Sequence, residues 1–379
     1  MVIEPRFEPG DHALVPPPAE FRQTIPGAGV GTGRASALSR RPLWPSLIGC
    51  SLIVLAVAAV AVSRGPIPIP LHTVWQVVLS HLPGLNVTRA AAGADAIVWQ
   101  IRLPRVVLAG IVGATLAYTG ATYQGVFRNP LADPYLLGVA SGAGLGAALA
   151  IVSAFNGYWH GFSLLPLFAF AGAILAVGTS YAIARTGPAV PLTTLILAGV
   201  AISALANAAM SFLFLAHSEK FPTIFSWLLG GFNTGSWRSC LLILPYVVAG
   251  GAVAIAFGRV LNVLQFGEEQ AHQLGIPVEA VKLVLLLFAS LAAAAAVSVS
   301  GLIGFVGLIV PHAVRLVWGP DYRRIVPLSI LVGAAFLILA DLFARLVIAP
   351  QEMPIGVVTA FCGAPFFLVL LKRRQRAVL

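Results

Sequence analysis

Hydrophobic residues run along this chain in long blocks and do not recur every third or fourth position. They fall near 44–62, 97–121, 134–154, 163–184, 192–216, 240–258, 281–299, 302–317, 326–347 and 355–371, each bounded by Pro, Gly or charge. A helix needs roughly 20 apolar residues to cross the hydrocarbon core of a bilayer, and a helix apolar all round is one buried in a membrane or a large core. The pattern predicts an all-α, polytopic membrane protein of about ten transmembrane helices, forming one domain over residues 44–379.

The first 43 residues break the pattern. Rich in Pro, Gly and charge and without apolar periodicity, residues 1–43 cannot bury enough surface to fold alone. They read as a disordered tail ahead of a retained first span, LWPSLIGCSLIVLAVAAVAV. Composition agrees: 59% of residues are hydrophobic and 9% charged, with a mean hydropathy of +0.93, whereas about a quarter of a soluble domain is charged. The net charge of +10 reflects Lys and Arg kept on the cytoplasmic side of short loops, and it implies no nucleic acid partner. Placing both termini in the cytoplasm puts most of the 23 Lys and Arg residues inside. Cys50, Cys240 and Cys362 lie in or beside apolar runs without paired spacing and read as small buried hydrophobes.

Two connections are long enough for a role of their own. The outer one, 63–96, contains LHTVWQVVLSHL, an amphipathic stretch suited to the membrane surface. The cytoplasmic one contains GEEQAHQLGIP, which begins at Gly267 and ends at Gly275 and Pro277, the punctuation of a short helix stopped on both sides. This helix reads as a docking element carrying Glu268, Glu269 and Gln270, or else as a solvated connector.

In RNPLADPYLLGVASGAGLG, Pro130 and Pro134 keep Asn129 and Asp133 out of the helical region. Asp133 and Pro134 together suit the start of the next helix. Gly138, Gly142 and Gly146 then recur every fourth residue, leaving one helix face as bare backbone that a neighbouring helix or a solute can approach. The stripe is expected to face the pathway or a partner subunit, with plain helix packing as the alternative. A second stripe is Gly301, Gly304 and Gly307. The two broken regions occupy corresponding places in halves that begin near 97 from outside and near 281 from inside, which points to inverted-topology repeats.

Candidate chemistry is sparse. There is no G-x-x-x-x-G-K-[ST], so the chain does not hydrolyse ATP through a P-loop. No Cys and His spacing suits a metal, and no G-x-S-x-G elbow is present. The expectation is therefore a non-enzyme without a metal or cofactor of its own. Asp341 is the clear carboxylate within a span, and Arg345 lies four residues on, along the same helix face. A lone carboxylate would favour an ion-coupled carrier, and a membrane enzyme would need a polar cluster that is not found. Arg102 and Arg105 flank Pro104 at the head of a span, as interfacial anchors or as a site for an acidic partner.

Taken in order, RNPLADPYLLGVASGAGLG, WLLGGFNTGSW, GEEQAHQLGIP, SGLIGFVGLIVPHAVRL, GPDYRR, LADLFAR and EMPIGVVTAFCGAPFFLVLL resemble the signature blocks of the FecCD family of ABC-importer permeases, over about Pro42 to Arg374. The resemblance implies an inverted-repeat, type II importer permease of the inner membrane, for iron chelates (ferric siderophore or haem) or cobalamin. It implies a homodimer around a central pathway, two copies of a separate ATPase that carries ATP-Mg, and an extracytoplasmic binding protein. Carried over residue by residue, it assigns Gly267, Glu268, Glu269, Gln270, Gln273, Leu274 and Gly275 to ATPase coupling. Arg102, Arg105 and Arg345 go to binding-protein docking, and Asn129, Leu131, Leu192 and Thr193 to a cytoplasmic gate. At Leu192 the family's small polar residue is replaced.

Overall fold

The computed structural model describes residues 42–375 apart from 66, 85–87, 89, 154–157, 160–161 and 188. The expected tail, up to residue 41, lies outside the described residues. Helix α1 (Trp44–Ser63) is followed by α2 (Leu71–Ser80), and a π-helical stretch, Ala96–Arg102, leads into α3 (Leu103–Val126). Next come α4 (Val139–Val152), α5 (Leu165–Ala184), α6 (Leu192–Ala216), α7 (Phe221–Leu228) and α8 (Trp237–Ala256). The chain continues through α9 (Gly258–Leu264), α10 (Glu268–Gln273), α11 (Val278–Ser300), α12 (Val306–Trp318), α13 (Tyr322–Leu346) and α14 (Ile355–Gln375). Among the described residues, seven helical segments are long and apolar enough to cross a membrane, and three shorter apolar ones, α4, α12 and the apolar part of α14, complete the expected series. The stretch predicted to lie on the membrane surface is α2, which buries Val74 and Val77 in the core and leaves Trp75 exposed. Cys50 and Cys240 are buried, but Cys362 is exposed.

Helices α3, α11 and α13 form the centre, and α1, α5, α6 and α8 carry long exposed apolar faces. Lipid tails are as apolar as leucine, so close packing, and not exclusion from water, must hold the centre together. Glycines permit it. A Cβ at Gly113 would strike the Gly333 carbonyl where α3 meets α13, and one at Gly120 would strike the Gly307 backbone where α3 meets α12.

The two broken regions meet. Helices α4 and α12 each start after a residue in the left-handed region, Gly138 (φ +91°) and Phe305 (φ +68°). The Tyr135 hydroxyl donates to the Ile303 carbonyl at 3.0 Å, joining one break to the other. Asp133 caps as expected, its carboxylate accepting from the Tyr135 N–H at 2.8 Å. Since α3 and α11 run in opposite directions, the pairing of breaks has the form of an inverted repeat.

Asp321 caps α13 and also holds the loop. It accepts from the Arg323 N–H and side chain and from Asn262 Nδ2 at 2.7 Å, and Asn262 in turn accepts from the Tyr322 N–H. Burial pushes its carboxyl up, but the hydrogen bonds from Arg323 and Asn262 more than offset this and hold it at about 2, below its ordinary 3.8. A depressed carboxylate stabilises the fold fully above its unfolded value and loses that contribution as pH falls through the folded one. Asp321→Ala is therefore expected to cost about 1 kcal/mol at neutral pH. The deficit in the detergent melting midpoint should shrink as pH is lowered from 4 toward 2, and a constant deficit would assign the effect to something other than the charge.

Candidate functional site

At the end of the bundle where α11 and α13 begin, α10 stands between Gly267 (φ +122°) and Gly275 (φ +79°), two conformations that suit glycine. The chain reverses there through bonds from the Gly275 N–H to the His272 carbonyl and from the Ile276 N–H to the Ala271 carbonyl. Only Ala271 of α10 is buried. Glu269, Gln270, His272, Gln273 and Leu274 are exposed, and Phe266 and Leu274 expose 73% and 70% of their surface on either side of the helix. A polar helix flanked by two exposed large apolar side chains has the chemistry of a protein contact.

Of the predicted coupling residues, Glu269, Gln270, Gln273, Leu274 and Gly275 are exposed. Glu268 faces inward: its carboxylate lies 3.1 Å from Lys282 Nζ and 3.9 Å from the Arg128 guanidinium. Lys282, at the start of the second turn of α11, is buried, and it also pairs with Glu279 at 2.6 Å and donates to the Val190 carbonyl at 3.4 Å. Glu279 accepts from the Val190 N–H at 3.1 Å. The four predicted gate residues occur beside this network. Asn129 follows Arg128 and its side chain accepts from the Leu131 N–H at 3.0 Å, while Leu131 lines a small cavity with Phe305, Leu308 and His312. Leu192, half buried, and Thr193, exposed, open α6 just after Val190.

The other end is built from arginines. Arg105 forks onto Asp341, with Nη2 to Oδ1 at 2.8 Å, and onto Glu352, with Nη1 to Oε1 at 2.9 Å. Arg345 closes the other side of Asp341 at 3.0 Å. Arg345 also donates to the Ala61 carbonyl at 3.1 Å, and Arg102 donates to the Val62 carbonyl at 3.0 Å and to the Ile67 carbonyl. These carbonyls belong to the last turn of α1 and the segment after it, where a helix leaves its acceptors unpaired and favours a cation. Arg102 and Arg345 are thus buried as caps of α1. In a regular helix Arg102 and Arg105 would share a face, but the π-helical stretch ends between them and they reach different partners. Arg105 and Glu352 line a cavity of about 560 Å³ with Asn233, Thr234, Ser236 and Ser300.

The glycine stripe does not reach either site. A Cβ at Gly142 would meet the Gly172 carbonyl and Ala176, and one at Gly146 the Phe168 carbonyl, so these two glycines are used where α4 packs on α5 within the chain. Gly138 lies near Ala176, Ser203 and Ile202 and supplies the left-handed turn before α4. At Gly142 and Gly146 the structure shows the plain helix packing that was the alternative for this stripe: bare backbone here admits a neighbouring helix of the same chain.

Residues 52–373 match the model of the FecCD transport family. The chain belongs to the FecCD transport family. It is 43% identical over 378 residues to the cobalamin import system permease protein BtuC of Halobacterium salinarum, covering 89% of this chain and 98% of that one. It is 38% identical over 350 residues to the hemin transport system permease protein HmuU of Yersinia pestis, covering 87% and 97%. A solved structure described as a metal-chelate type ABC transporter in an inward-facing conformation superposes with a TM-score of 0.72 at 32% identity, over 86% of this chain and 98% of that one. The FecCD chain is thus the membrane-spanning permease subunit of an ABC importer, a transport subunit.

Three groups escaped the sequence reading of this FecCD permease. Lys282 and Glu279 belong to the connector and look like ordinary solvated charges, and only the i, i+3 spacing hinted at their pairing. Glu352 had no signal, since its partner Arg105 lies 247 residues away. Phe266 was missed because it precedes the glycine that starts the short polar helix, whereas Leu274 was already placed among the coupling residues.

Proposed function

We propose that this permease works as a homodimer in the inner membrane, with both termini cytoplasmic, and imports a metal chelate of the ferric siderophore, haem or cobalamin class. A separate ATPase chain, two copies per dimer, binds ATP-Mg and contacts α10, and an extracytoplasmic binding protein delivers the substrate at the Arg105 end. The observation that carries the reading is α10 itself: a helix that is outside every span, exposes Glu269, Gln270, His272 and Gln273, and sets Phe266 and Leu274 on its flanks. Gly267 and Gly275 set its angle.

At the opposite end, docking of an acidic partner narrows from three arginines to Arg105, because Arg102 and Arg345 are committed to α1. Glu352, one-third exposed, is the carboxylate that an incoming acidic side chain would compete with for Arg105. Asn129, Leu131, Leu192 and Thr193 form the gate at the α10 end. An ion-coupled carrier is disfavoured, because Asp341 has no exposed surface and is clamped between Arg105 and Arg345.

Single cysteines at Glu269 and Gln270 are expected to crosslink to a co-expressed ATPase of the importer, whereas a cysteine at Asn233 is not. Labelling of Glu269→Cys in intact cells by an impermeant maleimide would reverse the orientation and remove the coupling role. Uptake of cobalamin, hemin and a ferric hydroxamate by the reconstituted importer distinguishes the substrates.

A further inference from the structure

We propose that Lys282 is a positioning residue that transmits movement of α10 to the first turn of α6. This rests on the reading of α10 as the ATPase contact and says how that contact reaches the gate.

The link is short and charged. Glu268 is the first residue of α10, and its Oε2 lies 3.1 Å from Lys282 Nζ. The same ammonium group holds Glu279 at 2.6 Å and the Val190 carbonyl at 3.4 Å. Glu279 returns to the same residue by accepting the Val190 N–H at 3.1 Å, so both backbone groups of Val190 are tied to the start of α11. Val190 precedes Pro191, the cap of α6, and Leu192, its first residue. A displacement of α10 therefore reaches the head of α6 through one side chain.

Other routes from α10 are weaker. Ala271 is its only buried residue and has a single methyl group to push with. The contact of Glu268 with Arg128 is long, 3.9 Å, and both side chains are more than one-third exposed, so water screens it. Lys282 differs, being 4% exposed. Pulling Glu268 away leaves Lys282 to Glu279 and Val190 alone. Conversely, without the ammonium, Glu268 and Glu279 face each other as like charges. Coupling through Lys282 requires a second state in which it holds a different set of acceptors from the Glu268-bound arrangement described here.

The test uses the complex of permease and ATPase in nanodiscs, with and without ATP plus vanadate, and reads amide hydrogen exchange over residues 186–195. Nucleotide is expected to change exchange there by about tenfold in the wild type, and by no more than about twofold in Lys282→Met and Glu268→Gln. Lys282→Met should still copurify the ATPase, so that the lost nucleotide response, and not a lost partner, is what the variant reports. Lys282→Arg, which keeps the cation, should recover the response. The double variant should be no worse than either single one, since both cut one link.

A full response in Lys282→Met with ATPase bound overturns the proposal, as do multiplying effects in the double variant. Should Lys282→Met fail to fold, Glu268→Gln decides, because it keeps the size and removes the charge: a full response there overturns the link. Failure of the wild-type chain to bind the ATPase removes the α10 reading and this proposal with it, whereas retained binding with an unaltered response removes the Lys282 link alone.

Discussion

Asp341→Leu is expected to lower the stability of the permease by about 3–5 kcal/mol, the cost of removing one partner from a buried ion pair. Asp341 is fully buried, and it is the carboxylate shared by Arg105 and Arg345. Without it, two guanidinium groups remain close together with Glu352 as the nearby anion. Arg345 also caps α1, so its displacement frees the Ala61 carbonyl in a region where lipid offers no replacement donor. The melting midpoint of the detergent-purified subunit should fall by many degrees. Glu352→Gln, at a residue whose side chain is one-third exposed, should cost no more than about 1 kcal/mol. An unchanged midpoint in Asp341→Leu would mean that water reaches the arginines and that the triad is not a closed structural unit. Because Arg105 is held inward by Asp341 and outward by Glu352, the same pair of variants separates fold from docking. Glu352→Gln should leave the fold intact while changing the salt dependence of binding-protein association.

Gly142→Leu should prevent α4 from seating on α5. The space beyond the Gly142 Cα is filled by the Gly172 carbonyl and by the Ala176 methyl at 2.6 Å from where a Cβ would stand. Overpacking of an ordinary core costs about 1–3 kcal/mol, and a backbone carbonyl cannot turn aside as a flexible side chain can, so the upper part of that range or more is expected. The predicted result is loss of folded subunit on size-exclusion chromatography. Gly178→Leu, on the same α5 but with open space beyond its Cα, is the control and should purify normally. A Gly142→Leu subunit that is stable but cannot transport would instead return the stripe to the pathway.

What the sequence determined by itself is which segments enter the membrane and where they are interrupted. A bilayer requires each crossing segment to be apolar along its whole length and to satisfy its own backbone, so block length alone marks a helix. The breaks at Pro130, Pro134 and Gly301, and the short helix between Gly267 and Gly275, were legible because Pro and Gly act on the local backbone whatever surrounds them. The motif blocks then carried the family. Only the tertiary structure decided which faces meet. Inside a bilayer, lipid and protein neighbours are equally apolar, so composition does not separate the packed side of α4 from a pathway side, and the glycine stripe read as either until α5 was seen against it. The arginines show the same limit for charge. Arg102 and Arg345 look like surface receptors because their acceptors are backbone carbonyls 40 and 284 residues away, which have no signature in sequence. Lys282 became more than a connector charge only when folding set the ends of α6, α10 and α11 side by side, since ion-pair energy depends on distance and burial, and both are properties of the assembled bundle.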